Sequence, residues 1–278
     1  MVERFATVGS FRIRFLDNEV GEAAEVVVLL HDGAWGASAD VTWQRTFAHL
    51  PADVRVIAPD LLGFGGSDKA VFLDRSPYGF RALAVFDLLD HVGITGRVHL
   101  VGNSFGGSVA LRALELPQAD ERLASVTTIS GTGGPWRTPL ALRELGTFDG
   151  TTADMDRLMR LVTEPFVGWH AYLGERVAWA KAPGHFQSMM APHHKPAPAH
   201  QVARPADPFP ASLVDVTIPV HIIAGLRDPL VEPGWASLLA ASFASEVRVS
   251  EMDASHSPNL SHPQETWQLV WDFVCSVR

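Results

Sequence analysis

Short apolar runs of strand length recur along this chain of 278 residues, and helix-length segments separate them. Continuous apolar runs of this length are typical of strands that are covered on both faces. Because strands alternate with helices, we predict an α/β fold with a mostly parallel sheet and helices on both faces. The predicted strands are residues 26–31, 54–60, 98–104, 125–130, 220–225 and 246–252, and the clearest helices are residues 78–91 and 263–278.

The stretch from about residue 131 to residue 210 breaks this rhythm, because it contains no clear strand run. It begins in a glycine-rich segment and ends in a proline-rich one, and helices are predicted between them at residues 152–169 and 171–182. We therefore predict a helical lid over residues 132–210. It is inserted into one core, which residues 1–131 and 211–278 form together.

Composition and charge limit the partners of the chain. The formal net charge is −9, and an acidic surface of that size argues against a nucleic acid or an anionic membrane as partner. No apolar run reaches the ~18 residues of a membrane span, and residues 1–10 do not resemble a signal peptide. The single cysteine, Cys275, fits a reducing compartment. We expect a cytoplasmic protein that acts on a small molecule, and the sequence leaves a homo-oligomer open.

Residues 102–106 read GNSFG and match the pattern Gly-x-Ser-x-Gly. The match follows a predicted strand and opens a helix, and this context is more specific than the pattern itself. In a turn of this kind the serine takes a strained backbone conformation, and side chains at the glycines would collide with neighbouring backbone. Ser104 is therefore expected to project from the carboxyl edge of the sheet as a nucleophile. The alternative is a plain turn with a capping serine.

A serine hydroxyl needs a neighbouring base at neutral pH, and a histidine after the last strand would supply it. His256 follows the last predicted strand, whereas His262 abuts a proline at the start of the final helix, where a histidine more often caps the helix. Asp228 lies just past an earlier strand and would orient the histidine. Asp253 is closer in sequence, but neighbours along a chain seldom face each other. The predicted catalytic residues are Ser104, Asp228 and His256.

Acyl chemistry also needs two N–H groups at the place where negative charge develops. Phe105, the residue after the nucleophile, would supply one of them. The loop after the first predicted strand, residues 31–36 (HDGAWG), would supply the other. Gly33 is the best candidate there, because a glycine lets the substrate approach the backbone. The alternative for this loop is a plain turn.

Residues 60–67 (DLLGFGGS) resemble the Asp-x-x-Gly-x-Gly-x-Ser turn of the α/β-hydrolase superfamily. With the serine motif and the Ser–Asp–His order along the chain, nearly the whole sequence outside the lid resembles that superfamily. The resemblance implies an eight-stranded sheet and a cofactor-free reaction, with Ser104 as nucleophile, Asp228 as the acidic member and His256 as base. Dehalogenases and epoxide hydrolases of the superfamily carry Asp at the nucleophile position, so Ser104 argues against both.

Three segments resemble the meta-cleavage-product hydrolases, which cut carbon–carbon bonds in dienoates made by aromatic ring fission. They are residues 102–107 (GNSFGG), 31–38 (HDGAWGAS) and 176–184 (RVAWAKAPG). The last is similar to the lid segment whose arginine holds the acidic end of the substrate. The resemblance therefore implies that Arg176 binds a substrate carboxylate and that Asn103 is a second polar contact.

The chain departs from those enzymes at several positions. Asp32 and Trp35 replace a glycine and a proline of the usual loop. Thr42 stands roughly where those enzymes have a substrate-binding asparagine, and Ser257 follows the histidine where many have tryptophan. We keep Trp35 and Thr42 as candidate substrate contacts at changed positions. For Arg176 the alternative is a solvated helix arginine that pairs with a nearby acid.

Tryptophans and histidines in and near the lid invite further interpretations. Four tryptophans either line an aromatic pocket or pack the lid on the core: Trp35, Trp136, Trp169 and Trp179. Four histidines match no compact zinc pattern and are predicted to lie on the surface: His185, His193, His194 and His200. No phosphate-binding glycine motif follows the first strand. We therefore predict neither a metal nor a cofactor.

Three functions stay open at this point. The first is a serine hydrolase that cleaves a C–C bond beside a vinylogous carbonyl, in a hydrophobic or aromatic-derived substrate. The second uses the same three catalytic residues on an ester, lactone or thioester, for example in natural-product metabolism. The third is a ligand-binding protein on a hydrolase fold, and the complete set of Ser104, Asp228 and His256 argues against it.

Overall fold

All six predicted strand runs belong to one sheet in the computed structural model, which describes residues 1–193 and 206–278. The eight strands are β1 (Val2–Val8), β2 (Phe11–Asp17), β3 (Glu25–Leu30), β4 (Val54–Pro59), β5 (Val98–Asn103), β6 (Leu123–Ile129), β7 (Val220–Gly225) and β8 (Arg248–Met252). Their order across the sheet is β1-β2-β4-β3-β5-β6-β7-β8. Pairing is antiparallel from β1 to β2 and from β2 to β4, and parallel elsewhere. The predicted mostly parallel sheet is confirmed.

Helices cover both faces of the sheet, as predicted. Alternate side chains of β3 enter two different core clusters, Val27 and Leu29 one and Val28 and Leu30 the other, which follows from the two-residue period of a strand. The helices on one face are α1 (Ala39–Trp43) and α11 (Pro263–Ser276), and those on the other are α2 (Gly79–His91), α3 (Phe105–Ala113) and α9 (Trp235–Ala240). Short helices α4 (Ala119–Arg122) and α10 (Pro258–Ser261) lie in connecting segments.

The first two strands carry no continuous apolar run. Arg4, Arg12 and Arg14 alternate with apolar residues in β1 and β2. β1 is at the edge of the sheet and is mostly exposed, so it needs no second apolar face. A search for buried runs therefore finds six strands of the sheet and misses the N-terminal hairpin.

The chain leaves the sheet after β6 and returns to it at β7. Between them lie α5 (Pro139–Glu144), α6 (Thr152–Val162), α7 (Trp169–Ala180) and α8 (His185–Met190). The helix predicted from residue 152 to residue 169 ends at Val162, because Pro165 cannot continue it. Within residues 132–193 and 206–210 the structure has no strand of the sheet, only a single bridge between Arg137 and Val231. The lid boundaries stay a prediction. No helix in the described parts of the chain is long and apolar enough to cross a membrane.

Parallel pairing brings the predicted functional loops together. β3 and β5 are neighbours, so the loop with Gly33 lies beside the turn with Ser104. β7 and β8 are also neighbours, so the segments with Asp228 and His256 share the same edge. All four loops follow the carboxyl ends of parallel strands, which is where open α/β sheets bind ligands.

Candidate active site

The turn between β5 and α3 holds Ser104 in a strained backbone conformation, with φ of 54° and ψ of −112°. A Cβ on Gly102 would overlap the backbone of Gly106, and a Cβ on Gly106 would overlap the carbonyl of Leu30. Both glycine positions of this turn therefore have no room for a side chain. A strained conformation of this kind costs about 1–3 kcal/mol and persists only where the surrounding structure enforces it.

Two short hydrogen bonds link Ser104 to the other predicted catalytic residues. His256 Nε2 lies 2.7 Å from Ser104 Oγ, and His256 Nδ1 lies 2.6 Å from Asp228 Oδ2. The side chains of His256 and Asp228 are buried. Asp228 Oδ1 also accepts a hydrogen bond from the N–H of Leu230. An acceptor at Nδ1 favours the proton on that nitrogen and leaves Nε2 free to accept the proton of the serine.

Gly33 packs against the side chain of Phe105, the residue after Ser104. A Cβ on Gly33 would lie 2.6 Å from Phe105 Cβ, so only glycine fits at this contact. Phe105 is the first residue of α3, and the first N–H groups of a helix have no partner within the helix. Gly33 and Phe105 both line the same cavity as Ser104. That their N–H groups bind one oxygen atom next to the serine stays a prediction.

A cavity of about 300 Å³ opens over Ser104 and His256 beneath the lid. Its wall is mostly apolar, and lid residues such as Leu142, Leu145 and Val162 supply part of it. A cavity of this kind suits a small, largely apolar molecule. Polar residues without a sequence motif also line it: Tyr78, Ser108, Ser130, Thr132 and Arg137. Nothing in the sequence pattern indicates these five, because only the packing of the lid on the sheet brings them together.

Arg176 is fully buried and does not line the cavity. Its Nη2 lies 2.7 Å from Asp32 Oδ1 and its Nη1 lies 3.1 Å from Asp32 Oδ2, the two-pronged geometry that arginine forms with a carboxylate. Nη1 also donates to the Tyr172 hydroxyl, and Nε donates to the Trp35 carbonyl. The structure therefore differs from the expectation that Arg176 holds a substrate carboxylate, because Asp32 of the chain itself already occupies the guanidinium.

The carboxylate of Asp32 stays ionised at any ordinary pH. Burial alone raises the pKa of Asp32, but the charge of Arg176 and the hydrogen bonds from Arg176, Thr42 Oγ1 and the N–H of Ala34 lower it to about 2. The pKa of Arg176 is raised in turn, since Asp32 and Tyr172 outweigh the effect of its burial. An acid in place of a glycine, together with an arginine in the lid segment, is the sequence signal that indicates this pair.

The other predicted substrate contacts are also structural. The Trp35 indole N–H donates to the carbonyl of Leu145 at 3.1 Å. Asn103 accepts a hydrogen bond from Ser257 Oγ at 2.9 Å, which joins the turn around Ser104 to the loop that holds His256. Trp35, Asn103 and Thr42 are fully buried, and none of them lines the cavity. That they contact the substrate stays a prediction, and it has no support from the geometry of the cavity.

The remaining tryptophans and histidines give no second site. Trp136, Trp169 and Trp179 do not line the cavity, so the aromatic-pocket interpretation gives way to lid packing. His185 is fully buried and not on the surface, and its Nε2 accepts the N–H of Gly36 at 3.1 Å. Within the described residues, no group of three His, Cys, Asp or Glu side chains could hold a metal ion. His194 and His200 lie outside the described residues, and the side chain of His193 is not described.

The two rejected alternatives for the catalytic residues lie apart from this site. His262 Nδ1 contacts Ser261 Oγ at 2.8 Å just before α11 begins. The Asp253 side chain is 81% exposed and pairs with Arg227. Neither residue lines the cavity.

Comparison with known proteins gives one family and several relatives. Residues 27–269 match the alpha/beta hydrolase family. The 2-hydroxy-6-oxo-6-(2'-aminophenyl)hexa-2,4-dienoic acid hydrolase of Metapseudomonas resinovorans is 30% identical over 163 residues, 58% of this chain and 53% of that protein. The 2-hydroxy-6-oxo-6-phenylhexa-2,4-dienoate hydrolase of Burkholderia cepacia is 41% identical over 129 residues, 46% of this chain and 42% of that protein. The chain spans about half the length of the curated relatives it matches.

A solved structure matches the whole fold. The 2-hydroxy-6-oxo-6-phenylhexa-2,4-dienoate hydrolase from Rhodococcus sp. strain RHA1 has a TM-score of 0.77 and 25% identity, and the match covers 98% of both chains. The resemblance to meta-cleavage-product hydrolases is thereby confirmed in sequence and in fold. On the match over residues 27–269 and the eight-stranded sheet, this chain belongs to the alpha/beta hydrolase family.

Proposed function

We propose that this protein is a cofactor-free serine hydrolase that cleaves a C–C bond in a dienoate from aromatic ring fission. The observation that supports it most is the continuous hydrogen-bond chain from Asp228 through His256 to Ser104. Ser104 and His256 lie in the wall of the cavity beneath the lid. The named activity of relatives such as the Burkholderia cepacia hydrolase supports the substrate class.

The first chemical step uses this chain of hydrogen bonds. Ser104 Oγ attacks a carbonyl carbon of the substrate while His256 Nε2 takes the hydroxyl proton. Asp228 stabilises the imidazolium that forms. The N–H groups of Gly33 and Phe105 stabilise the negative charge on the former carbonyl oxygen.

Cleavage of a C–C bond requires the leaving carbon to depart with the electron pair of that bond. In the 2-oxo tautomer of the substrate, in which the 2-hydroxyl proton has moved to C5, the C2 carbonyl accepts this pair through the C3–C4 double bond, and His256 returns the serine proton to the resulting dienolate. Water then attacks the acyl group on Ser104, with His256 again as the base. The products are a carboxylic acid and a dienoic acid, and water is the only co-reactant.

The test follows the visible absorbance of 2-hydroxy-6-oxo-6-phenylhexa-2,4-dienoate. We expect the wild-type protein to remove this absorbance and to release benzoate in equal amount. Ser104→Ala should bind the dienoate without turning it over. A wild-type protein that leaves the dienoate intact but hydrolyses esters would overturn the C–C assignment and keep the serine chemistry.

A second candidate is a hydrolase of esters, lactones or thioesters. The Asp32–Arg176 pair favours it, because the arginine that the resemblance assigns to a substrate carboxylate is already neutralised. A chromogenic ester should then give a burst of one nitrophenol per protein followed by steady turnover. Ligand binding without a burst from any ester or loss of any dienoate would instead indicate a non-catalytic binding protein.

A further inference from the structure

We infer that an acidic group on the substrate is received by Arg137, at the entrance to the cavity, and not by Arg176. This inference rests on the proposed role of Ser104 as nucleophile. It adds to that proposal the charge of the substrate and the residue that recognises it.

The side of the cavity at Asp32 is closed to an anion. Arg176 uses Nε, Nη1 and Nη2 on partners within the chain, and Asp32 rather than Arg176 lines the cavity. A substrate carboxylate on this side would meet the ionised Asp32 and would find no free guanidinium. Burial of such an unpaired charge is costly.

Among the residues that the structure describes, Arg137 is the only lysine or arginine that lines the cavity. It is exposed, so it lies where the cavity meets the solvent, and no carboxylate of the described residues pairs with it. Residues 194–205 contain neither Asp nor Glu. Arg112, whose guanidinium lies 5.4 Å from the ring of Tyr78, pairs by contrast with Asp207 and Glu115. Arg137 is therefore free to bind a carboxylate from outside the chain.

The cavity wall that contains Arg137 also contains the hydroxyl groups of Ser130 and Tyr78. Ser130 Oγ is buried and has no hydrogen-bond partner among the described residues, and the backbone of Ser130 has φ of 52°. The ring of Tyr78 packs on Phe105, with centroids 5.6 Å apart. Tyr78 and Arg137 line the same cavity, and the charge of Arg137 opposes the rise that burial causes in the pKa of Tyr78. A carboxylate can accept hydrogen bonds from a guanidinium and a hydroxyl at once.

The backbone on either side of Arg137 is fixed to the core. The segment that contains it pairs with the segment just after Asp228, through a bridge and two further hydrogen bonds: Arg137 with Val231, Thr138 N to Leu230 O at 3.0 Å, and Glu232 N to Trp136 O at 2.7 Å. The charge is thus presented from a backbone whose position is set before the substrate binds. Such preorganisation lowers the entropy cost of binding.

The experiment compares two esters of equal length, 4-nitrophenyl pentanoate and the mono-4-nitrophenyl ester of glutaric acid, which carries a terminal carboxylate. Arg137→Gln should lower kcat/KM for the acidic ester by roughly 10–100-fold, as expected for a charge-assisted hydrogen bond, and for the neutral ester by less than about 2-fold. Arg137→Lys should restore part of the loss, because a point charge replaces a planar fork. The matched control is Arg160→Gln, which removes a lid arginine that does not line the cavity.

The outcomes separate this inference from the proposed function. If neither ester nor the dienoate is turned over by the wild-type protein, the proposed function fails and takes the inference with it. If the wild-type protein is active, an equal loss on both esters in Arg137→Gln, or no loss on either, overturns the inference alone. An acid-specific loss in Arg176→Gln but not in Arg137→Gln would also overturn it and return the carboxylate to Arg176.

Discussion

Two buried carboxylates each hold a basic side chain near the cavity: Asp228 holds His256, and Asp32 holds Arg176. The distances are alike, 2.6 Å for the first pair and 2.7 Å for the second. The partners differ in what they leave free. His256 has a second ring nitrogen directed at Ser104, whereas the guanidinium of Arg176 donates from all three of its nitrogens to groups within the chain.

This difference indicates why one pair is a candidate for chemistry and the other for stability. A carboxylate that orients an imidazole leaves the second ring nitrogen able to take a proton from a neighbouring group and return it. A carboxylate that meets arginine makes a permanent ion pair, because the guanidinium does not lose its proton. The Asp32–Arg176 pair therefore fixes α7 of the lid to the loop that holds Gly33, and it takes no part in proton transfer.

The largest effect is expected at the first pair. Ser104→Ala and His256→Ala should each lower kcat by about 10⁴–10⁶-fold, and the double variant should be little worse than either, because the two residues act in one step. Asp228→Asn should lower kcat by about 10⁴-fold through the wrong histidine tautomer. Steady-state kinetics measure these losses, with Asp253→Asn as the control. Losses that multiply in the double variant would show that the residues act separately.

The second pair should affect stability most. Asp32→Ala or Arg176→Met should each lower the free energy of unfolding by about 3–5 kcal/mol, because each leaves a buried charge without its partner. Their combination should recover part of that loss. Urea unfolding measures both, and Arg160→Gln, which breaks an exposed pair, should cost less than about 1 kcal/mol. A loss from Arg176→Met as small as that of the control would contradict a structural role for the buried pair.

The next effect is expected in the loop that holds Gly33, where one added methyl group should lower kcat. Gly33→Ala should lower kcat by about 10²–10³-fold, since its Cβ would push the loop away from Phe105 and separate the two N–H groups. The control is Gly174→Ala, because a Cβ at that helical glycine meets no atom within 4 Å. Wild-type kcat in a folded Gly33→Ala protein would place the stabilising N–H groups elsewhere.

The smallest expected effect is a pH dependence of stability, and it comes from buried histidines and not from the Asp32–Arg176 pair. Burial, with the nearby charge of Lys69, lowers the pKa of His185 from 6.5 to about 4. Between these values the unfolded chain binds more protons than the folded one, so stability falls as the pH decreases from 6.5 to 4, by at most about 1.4 kcal/mol per pH unit from this residue. Thermal unfolding across this range should show a shallower slope in His185→Gln.

His221 gives a matched comparison for this slope. Its pKa is also lowered to about 4, mainly by burial, and its Nε2 contacts Ser250 at a site away from the cavity. His221→Gln should remove a similar share of the slope, and the two substitutions should add. Asp32, whose pKa is lowered from 3.8 to about 2, should contribute almost nothing to the slope above about pH 5, because its carboxyl group is then ionised in the unfolded chain as well. A slope that disappears in Asp32→Ala would contradict this division.

The features that the sequence predicts well are those that depend on local geometry. The turn around Ser104 needs glycines within two residues of the serine, and strands buried on both faces need continuous apolar runs. Both constraints are visible in a short window of sequence. The hairpin of β1 and β2 escapes the same search, since β1 is mostly exposed and arginines interrupt the apolar residues of both strands.

The substrate contacts could not be predicted in the same way. Asp32 and Arg176 are 144 positions apart, and the direction of the guanidinium depends on how α7 packs over the loop of Trp35. A resemblance assigns the arginine to a ligand, but one acidic residue in place of a glycine gives it an internal partner. Arg137 and Ser130 carry no motif, because their place in the cavity wall follows from the fold of the lid and the end of β6.

The bridge between Arg137 and Val231 affects where the chain can be cut to exchange its lid for that of a related hydrolase. Residues 136–138 are paired with the segment that follows Asp228, so this part of the lid and the loop of Asp228 form one structural unit. A chimera that exchanges residues from 139 onward leaves that unit intact. A chimera cut at residue 132 separates residues 136–138 from the segment after Asp228. We expect it to disturb both the orientation of Asp228 and the position of Arg137.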